Sequence, residues 1–276
     1  MGALTKRVLV ALVAIPILLF LTFWDVTLPF KLVVVIALIL ALLEYLQLAY
    51  QDKIKPQRTE GIVSLLIVLL PLVSKQLFGW AEETSILAVL FVLNLSFLWS
   101  QRTVKRMIVT VSVTFLGVAY FGFFGGYFFR LHELPNGAWL LLWLYISTWA
   151  YDTGGYFAGG WWGKHKLAPE VSPKKSWEGC IGGFVLSLIG LYLLWQFVPT
   201  YSQIFNLMDV VILSVLLSFF GQIGDLVESI MKRSLSAKDS GSFFPGHGGV
   251  FDRIDSLLFN APVLYFYLVL FKHIQV

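Results

Sequence analysis

The chain has 276 residues, 58% of them hydrophobic and only 13% charged, with a mean hydropathy of +0.80. A soluble globule of this size cannot hide that much apolar surface, so an ordinary cytosolic enzyme and a disordered chain are excluded. A disulfide scaffold is excluded too, because Cys180 is the single cysteine. The composition is that of a polytopic membrane protein. The net charge is +4, and its distribution along the chain is uneven.

In chain order, nine apolar stretches are long enough to be read as membrane helices: 8–23, 30–50, 62–78, 84–99, 107–129, 138–158, 179–198, 208–231 and 254–271. They are continuous rather than alternating, which argues for helices over barrel strands. Lys6 and Arg7 precede the first stretch as they would in a signal peptide. No small-residue cleavage site follows, so the first helix is expected to be retained. With nine spans, 16 of the 20 Lys and Arg residues fall on one side; Lys31, Lys75, Arg130 and Lys272 fall on the other. The positive-inside rule then predicts a cytoplasmic N-terminus and an external C-terminus. Trp24, Trp80, Trp139, Trp161 and Trp162 lie near span ends, as interfacial aromatic residues do. The expected fold class is all-α, with one continuous membrane domain: N-terminal helices over 1–140, then a catalytic region over 141–276. Its polar segments 159–178 and 232–253 are expected to be cytoplasmic.

Ionisable residues inside spans are costly and point to function. Here they are Glu44, Asp152, Asp225 and Glu228. Asp152 is followed by Thr153, Gly154 and Gly155, small residues that would equally serve close helix packing. The next polar segment holds Ser172, Lys174, Lys175 and Glu178. Its two lysines precede the seventh helix, whose N-terminus favours anions, so this is a candidate phosphate cradle. Alternatively, its charge only orients the chain.

On the eighth helix, Asp225, Glu228, Ser229 and Lys232 recur at i, i+3, i+4 and i+7, one polar stripe on an apolar helix. An acid–base stripe at a helix end would produce part of this pattern, but it does not require two carboxylates ahead of the lysine. Beyond Arg233 come Lys238 and Asp239, a glycine-rich turn with His247, Gly248 and Gly249, and then Asp252, Arg253 and Asp255. The glycines would let the backbone approach a ligand and offer N–H groups to phosphate. Asp225, Asp239, Asp252 and Asp255 are four carboxylates within 31 residues. Hard oxygen ligands beside Lys and Arg suit Mg²⁺ holding a polyphosphate, whereas zinc-type ligation is absent.

The segment 229–255 resembles the hallmark segment of the phosphatidate cytidylyltransferases, or CDP-diacylglycerol synthases. Ser229, Lys232-Arg233, Lys238-Asp239, His247-Gly248-Gly249, Asp252-Arg253 and Asp255 fill every position of that pattern. The runs beginning at Asp152 and Ser172 resemble other stretches of the family. The resemblance is strong over about 150–260 and amounts to hydropathy and length before residue 140. It implies transfer of a cytidylyl group from CTP to phosphatidic acid with Mg²⁺, giving CDP-diacylglycerol and pyrophosphate. It further implies an all-helical fold in the cell membrane, a polar cavity facing the cytosol and a homodimer; no nucleic-acid partner is expected.

By resemblance Asp225 and Asp252 are the metal ligands, with Asp239 and Asp255 as second candidates. Lys232, Arg233, Lys238 and Arg253 would meet phosphates. Asp152, Ser172, Lys174, Lys175, Glu178, Glu228, Ser229, His247, Gly248 and Gly249 would line the substrate site. A CDP-alcohol phosphotransferase would carry an Asp-Gly-x-x-Ala-Arg run, which is missing. A carboxylate-coupled transporter would call for inverted repeats, of which the sequence has no sign.

Overall fold

The structure, a computed structural model, describes residues 3–74, 82–98, 104–241 and 248–274. Lys75, Trp80 and His247, all used in the reading above, lie outside them, as do the ends of the third and fourth apolar stretches.

Among the described residues, each of the nine apolar stretches lies mostly in helix. In chain order the helices are α1 (Ala3–Phe23), α2 (Thr27–Gln51), α3 (Arg58–Val73), α4 (Glu82–Leu98), α5 (Met107–Ala119), α6 (Gly125–Glu133), α7 (Gly137–Trp162), α8 (Trp177–Phe197), α9 (Pro199–Ile204), α10 (Leu207–Ser234) and α11 (Phe251–Phe271). A 3₁₀ turn leads into α5, and a π-helical turn over Tyr120–Phe124 joins α5 to α6 in one continuous rod. Among the described residues, five helical segments are long and apolar enough to cross a membrane: Thr27–Gln51, Val104–Glu133, Trp177–Phe197, Leu207–Ser234 and Phe251–Phe271. α3 and α4 are shorter, at 16 and 17 residues.

The fold is mostly helical, with one addition to the expected all-α class. Within the polar segment 159–178, β1 (Lys166–Ala168) and β2 (Ser172–Ser176) form a two-stranded antiparallel ribbon, pairing Lys166 with Ser176 and Ala168 with Ser172.

The chain divides into two compact units. One comprises residues 1–130 together with 234–253; the other comprises 131–233 and 254–276. Within the first unit, Ser240, Val250 and Phe251 meet Glu44 of α2.

In the first unit the core is aliphatic and aromatic: Phe30, Leu38, Leu42, Tyr45, Leu46, Leu65, Leu69, Phe121 and Phe251 are all buried. Phe121 meets the Phe251 ring edge-on, with centroids 4.9 Å apart. α2 reaches the α5–α6 rod closely because the rod presents glycines. A Cβ at Gly117 would lie 2.8 Å from Leu42 and Tyr45 side-chain atoms, and one at Gly125 would lie 2.5 Å from Leu38 Cδ2. Some buried polar groups find partners across helices. Gln57, fully buried, donates through Nε2 to Leu93 O (2.9 Å) and Ser96 Oγ (2.7 Å), tying the start of α3 to α4. Lys31 Nζ donates to Leu72 O and Val73 O, the last carbonyls of α3, where a cation is favoured.

In the second unit Trp143 is fully buried against Tyr201 and Phe205, with ring centroids at 4.9 and 4.7 Å. α7 and α8 pack against each other through small residues. A Cβ at Gly154 would collide with Gly182 O, one at Gly182 with Ala158 Cβ, and one at Gly183 would lie 2.8 Å from the Tyr151 ring. Such small-residue faces let membrane helices approach at backbone distance. α10 and α11 use the same device. A Cβ at Gly224 would lie 2.8 Å from Asp255 O, and one at Gly221 would lie 2.8 Å from Asn260 Nδ2. Asn260 also donates to Thr148 Oγ1 at 3.0 Å, linking α11 to α7.

Candidate active site

The Gly221/Gly224 face of α10 explains how carboxylates from two helices meet. With no side chain at 224, the first turns of α11 lie against α10, and Asp255 comes beside the polar stripe of α10. Ligand atoms of Asp225, Glu228 and Asp255 all lie within 4.8 Å of one another. Two lysines answer them. Lys175 Nζ is 2.5 Å from Asp225 Oδ2, and Lys232 Nζ is 2.6 Å from Glu228 Oε2, one helical turn further along α10. Glu228 is 1% exposed and Asp225 32%, so the cluster runs from the helix interior toward an open side. Ser229 Oγ donates to Asp225 Oδ1 in a long contact of 3.5 Å. Asp152, exposed on α7, and Lys175 are both close enough for their charges to act on Asp255.

The β-ribbon delivers Lys175. In a strand, consecutive side chains point to opposite faces, so Lys174 and Lys175 separate: Lys175 turns to Asp225 and Lys174 is exposed. The pair of lysines expected at the seventh span's N-terminus is therefore one lysine in the carboxylate cluster and one outside it. The start of α8 is closed by Ser176, whose Oγ accepts from Gly179 N at 3.2 Å. Glu178 accepts from His165 N (3.3 Å) and lies 2.6 Å from His165 Nδ1, while Trp177 N donates to His165 O. These contacts fasten the segment before β1 to the first turn of α8. Ser172 opens β2 and is half-buried, and Arg233 Nε donates to Val171 O (3.4 Å) beside it.

The glycine-rich segment belongs to the first unit, where carboxylates receive its N–H groups. Asp252 accepts from Ser240 N at 3.1 Å and from Gly249 N at 2.7 Å. Glu44, from the apolar interior of α2, accepts from Ser240 Oγ (2.9 Å), Val250 N (2.9 Å) and Phe251 N (3.0 Å). A side chain of α2 thereby caps the N-terminus of α11, satisfying donors that a helix leaves open and matching its dipole. The glycines follow from this approach. Gly248 has φ +81°, and a Cβ there would collide with Asp252 Oδ2; at Gly249 it would collide with Glu44 Oε2. Lys238, Asp239 and Arg253 are exposed.

Sequence reasoning singled out Glu44 as a buried acid but gave it no role. It missed Asp209, which pairs with Asn206 in a reciprocal cap of α10 (Asn206 N to Asp209 Oδ2 2.7 Å, Asp209 N to Asn206 Oδ1 2.9 Å). Asp209 also accepts from Tyr267 Oη at 2.6 Å and Lys272 Nζ at 2.8 Å. The Asn-x-x-Asp spacing ahead of an apolar run was the available signal.

Residues 5–271 match the model of the Cytidylyltransferase family. The chain belongs to this family. It is 35% identical over 277 residues to the phosphatidate cytidylyltransferase of Bacillus subtilis, covering 97% of this chain and 98% of that protein. It is 34% identical to that of Staphylococcus saprophyticus, over 82% of this chain and 85% of the relative. With that of Staphylococcus aureus the figures are 36%, 83% and 87%. The family match takes in both units, including the carboxylate–lysine cluster and the segment held by Glu44.

Proposed function

We propose that this chain transfers a cytidylyl group from CTP to phosphatidic acid, in phospholipid biosynthesis. The observation that carries the reading is the cluster of Asp225, Glu228 and Asp255 with Lys175 and Lys232, in a chain that matches cytidylyltransferases over nearly its whole length. In the reaction an anionic oxygen of the lipid phosphate attacks the α-phosphorus of CTP. The bond from that phosphorus to the bridging oxygen of the β-phosphate breaks, pyrophosphate leaves, and a new anhydride joins CMP to the lipid. The nucleophile is already ionised, so no general base is required, and the site's task is to hold several negative charges in line. Lys175 and Lys232 supply positive charge; Asp152 and Ser229 border the same cluster.

The donor set fits Mg²⁺: hard carboxylate oxygens from Asp225, Glu228 and Asp255, close enough to share one ion. Asp252, one helical turn before Asp255 on α11, is proposed as a further ligand on the strength of the family resemblance. Bound Mg²⁺ would neutralise phosphate oxygens and stabilise the departing pyrophosphate. Glu44 would act indirectly, by holding the segment that carries Asp252.

The same reading includes nine membrane crossings, an N-terminus inside, a site that opens to the cytoplasm, and a homodimer. The one-sided distribution of Lys and Arg supports the orientation, since a soluble nucleotide must reach the site. The test is product formation by the purified protein in detergent micelles with Mg²⁺. CDP-diacylglycerol should form only when CTP and phosphatidic acid are both present. CTP consumption at the same rate without phosphatidic acid would overturn the assignment.

A further inference from the structure

Asp152, Asp225 and Asp255 stand on α7, α10 and α11, and side-chain hydrogen bonds tie the same three helices together within the second unit. Tyr151, next to Asp152 on α7, donates through Oη to Gln222 Oε1 at 3.0 Å. Gln222 lies three residues before Asp225 and so shares its face of α10. Cys180 Sγ of α8 approaches the same oxygen at 3.7 Å. Thr148, one turn before Asp152, accepts from Asn260 Nδ2 of α11 at 3.0 Å and donates to Leu144 O at 2.9 Å. Tyr151, Thr148 and Asn260 are buried. Asn260 also packs against the α10 backbone at Gly221, the neighbour of Gln222. Each helix that brings an acid to the cluster thus brings a polar side chain to this layer, and α7 brings two. Carboxylates with ligand atoms within 4.8 Å of one another repel, so the helices that carry them need a tie. A buried hydrogen bond between membrane helices is modest in strength but directional, and it fixes rotation as well as spacing.

We propose that Tyr151, Gln222, Thr148 and Asn260 are positioning residues: their hydrogen bonds set the rotation and spacing of α7, α10 and α11, so that Asp225 and Asp255 meet at ligand distance with Asp152 beside them. None of the four touches the ion or the substrates; they act through the acids on the same helices. The proposal rests on the Mg²⁺ reading of the cluster and adds what holds its donor set in register.

Tyr151→Phe and Thr148→Val each remove one hydroxyl and keep the side-chain shape. Two quantities are read on purified protein in detergent: the Mg²⁺ concentration at half-maximal turnover, and the Mg²⁺ concentration at half of the rise in Tm that Mg²⁺ alone produces. Both should increase about three- to tenfold in each variant, the value of one hydrogen bond. KM for CTP at saturating Mg²⁺ should stay within about twofold, a change too small for a lost hydrogen bond to substrate. Thr148→Ser, which keeps the hydroxyl, should return both Mg²⁺ concentrations to the wild-type values. Tyr201→Phe controls for stability alone. Tyr201 Oη donates to Trp139 O at 2.8 Å, joining α9 to the opposite end of α7, so this variant should lower Tm and leave both Mg²⁺ concentrations unchanged. Unshifted concentrations in Tyr151→Phe and Thr148→Val, or an equal shift in Tyr201→Phe, would overturn this proposal alone and leave the layer as packing between helices. Wild-type protein with neither Mg²⁺-dependent turnover nor a Mg²⁺-induced rise in Tm would overturn the metal reading and the proposal together.

Discussion

Among the described residues, three carboxylates meet two lysines in the cluster, so Asp225, Glu228 and Asp255 exceed Lys175 and Lys232 by one group, with Asp152 nearby. A divalent cation relieves that excess. Asp225→Asn and Asp255→Asn should therefore each abolish Mg²⁺-dependent turnover, and the double variant should be little worse than either, because such groups act as a unit. Steady-state assays on variants that still insert and purify will check this; near-normal rates would remove the metal assignment. The ribbon makes a sharper prediction for the lysines. Lys175→Gln should lower kcat/KM by roughly 10- to 150-fold, the worth of a charged hydrogen bond, while Lys174→Gln should stay within about threefold of the parent. Equal effects would contradict the strand geometry. Glu44 receives two backbone N–H groups and a hydroxyl. Glu44→Leu should therefore reduce both Tm in detergent and activity, by about 1.5–3 kcal/mol for each charged hydrogen bond lost. An unchanged Tm would mean that the cap is dispensable. The sequence exposes Glu44 and Asp225 as costly acids in apolar helices. It cannot reveal that Glu44 serves the segment about 200 residues away, because pairing at that separation is decided by packing alone.

At the scale of elements, glycine placement decides which helices meet. Gly154 and Gly182 let α7 and α8 touch at backbone distance, and Gly221 and Gly224 do so for α10 and α11. Gly182→Leu should force α7 and α8 apart, lowering Tm and activity together. Gly160→Ala, on the same helix as Gly154 but with no heavy atom within 4 Å of the new Cβ, should be tolerated. Thermal unfolding in detergent will separate the two; equal stability would contradict the close packing. The helices themselves were legible from hydropathy, because an apolar run in lipid must satisfy its own backbone and so becomes helix. The β-ribbon was not legible. Its two short strands have little apolar alternation, and Ser-Pro-Lys-Lys-Ser reads as loop until Lys166 and Ala168 are found opposite Ser176 and Ser172. That pairing is what turns two adjacent lysines to opposite faces.

For the molecule as a whole, the one-sided basic loops predict the orientation. Reporter fusions at Ala168 should report a cytoplasmic location and fusions at Ser202 an external one; the reverse pattern would place the site on the wrong side for a cytoplasmic nucleotide. The hallmark residues were legible as chemistry because carboxylates beside lysines are rare in so apolar a chain. Their division was not: Asp252 is engaged with Ser240 and Gly249 in one unit, and Asp255 joins Asp225 and Glu228 in the other, although they are a single turn apart on α11. The most direct measurement is phosphatidate-dependent release of pyrophosphate from CTP by wild-type protein and by Asp225→Asn, in the same detergent and at matched thermal stability. Wild-type protein should release pyrophosphate only with both phosphatidic acid and Mg²⁺, and Asp225→Asn should fall by more than the roughly 10–100-fold that loss of an outer-shell partner costs. Release that is indifferent to phosphatidic acid, or that persists undiminished in Asp225→Asn, would contradict the account.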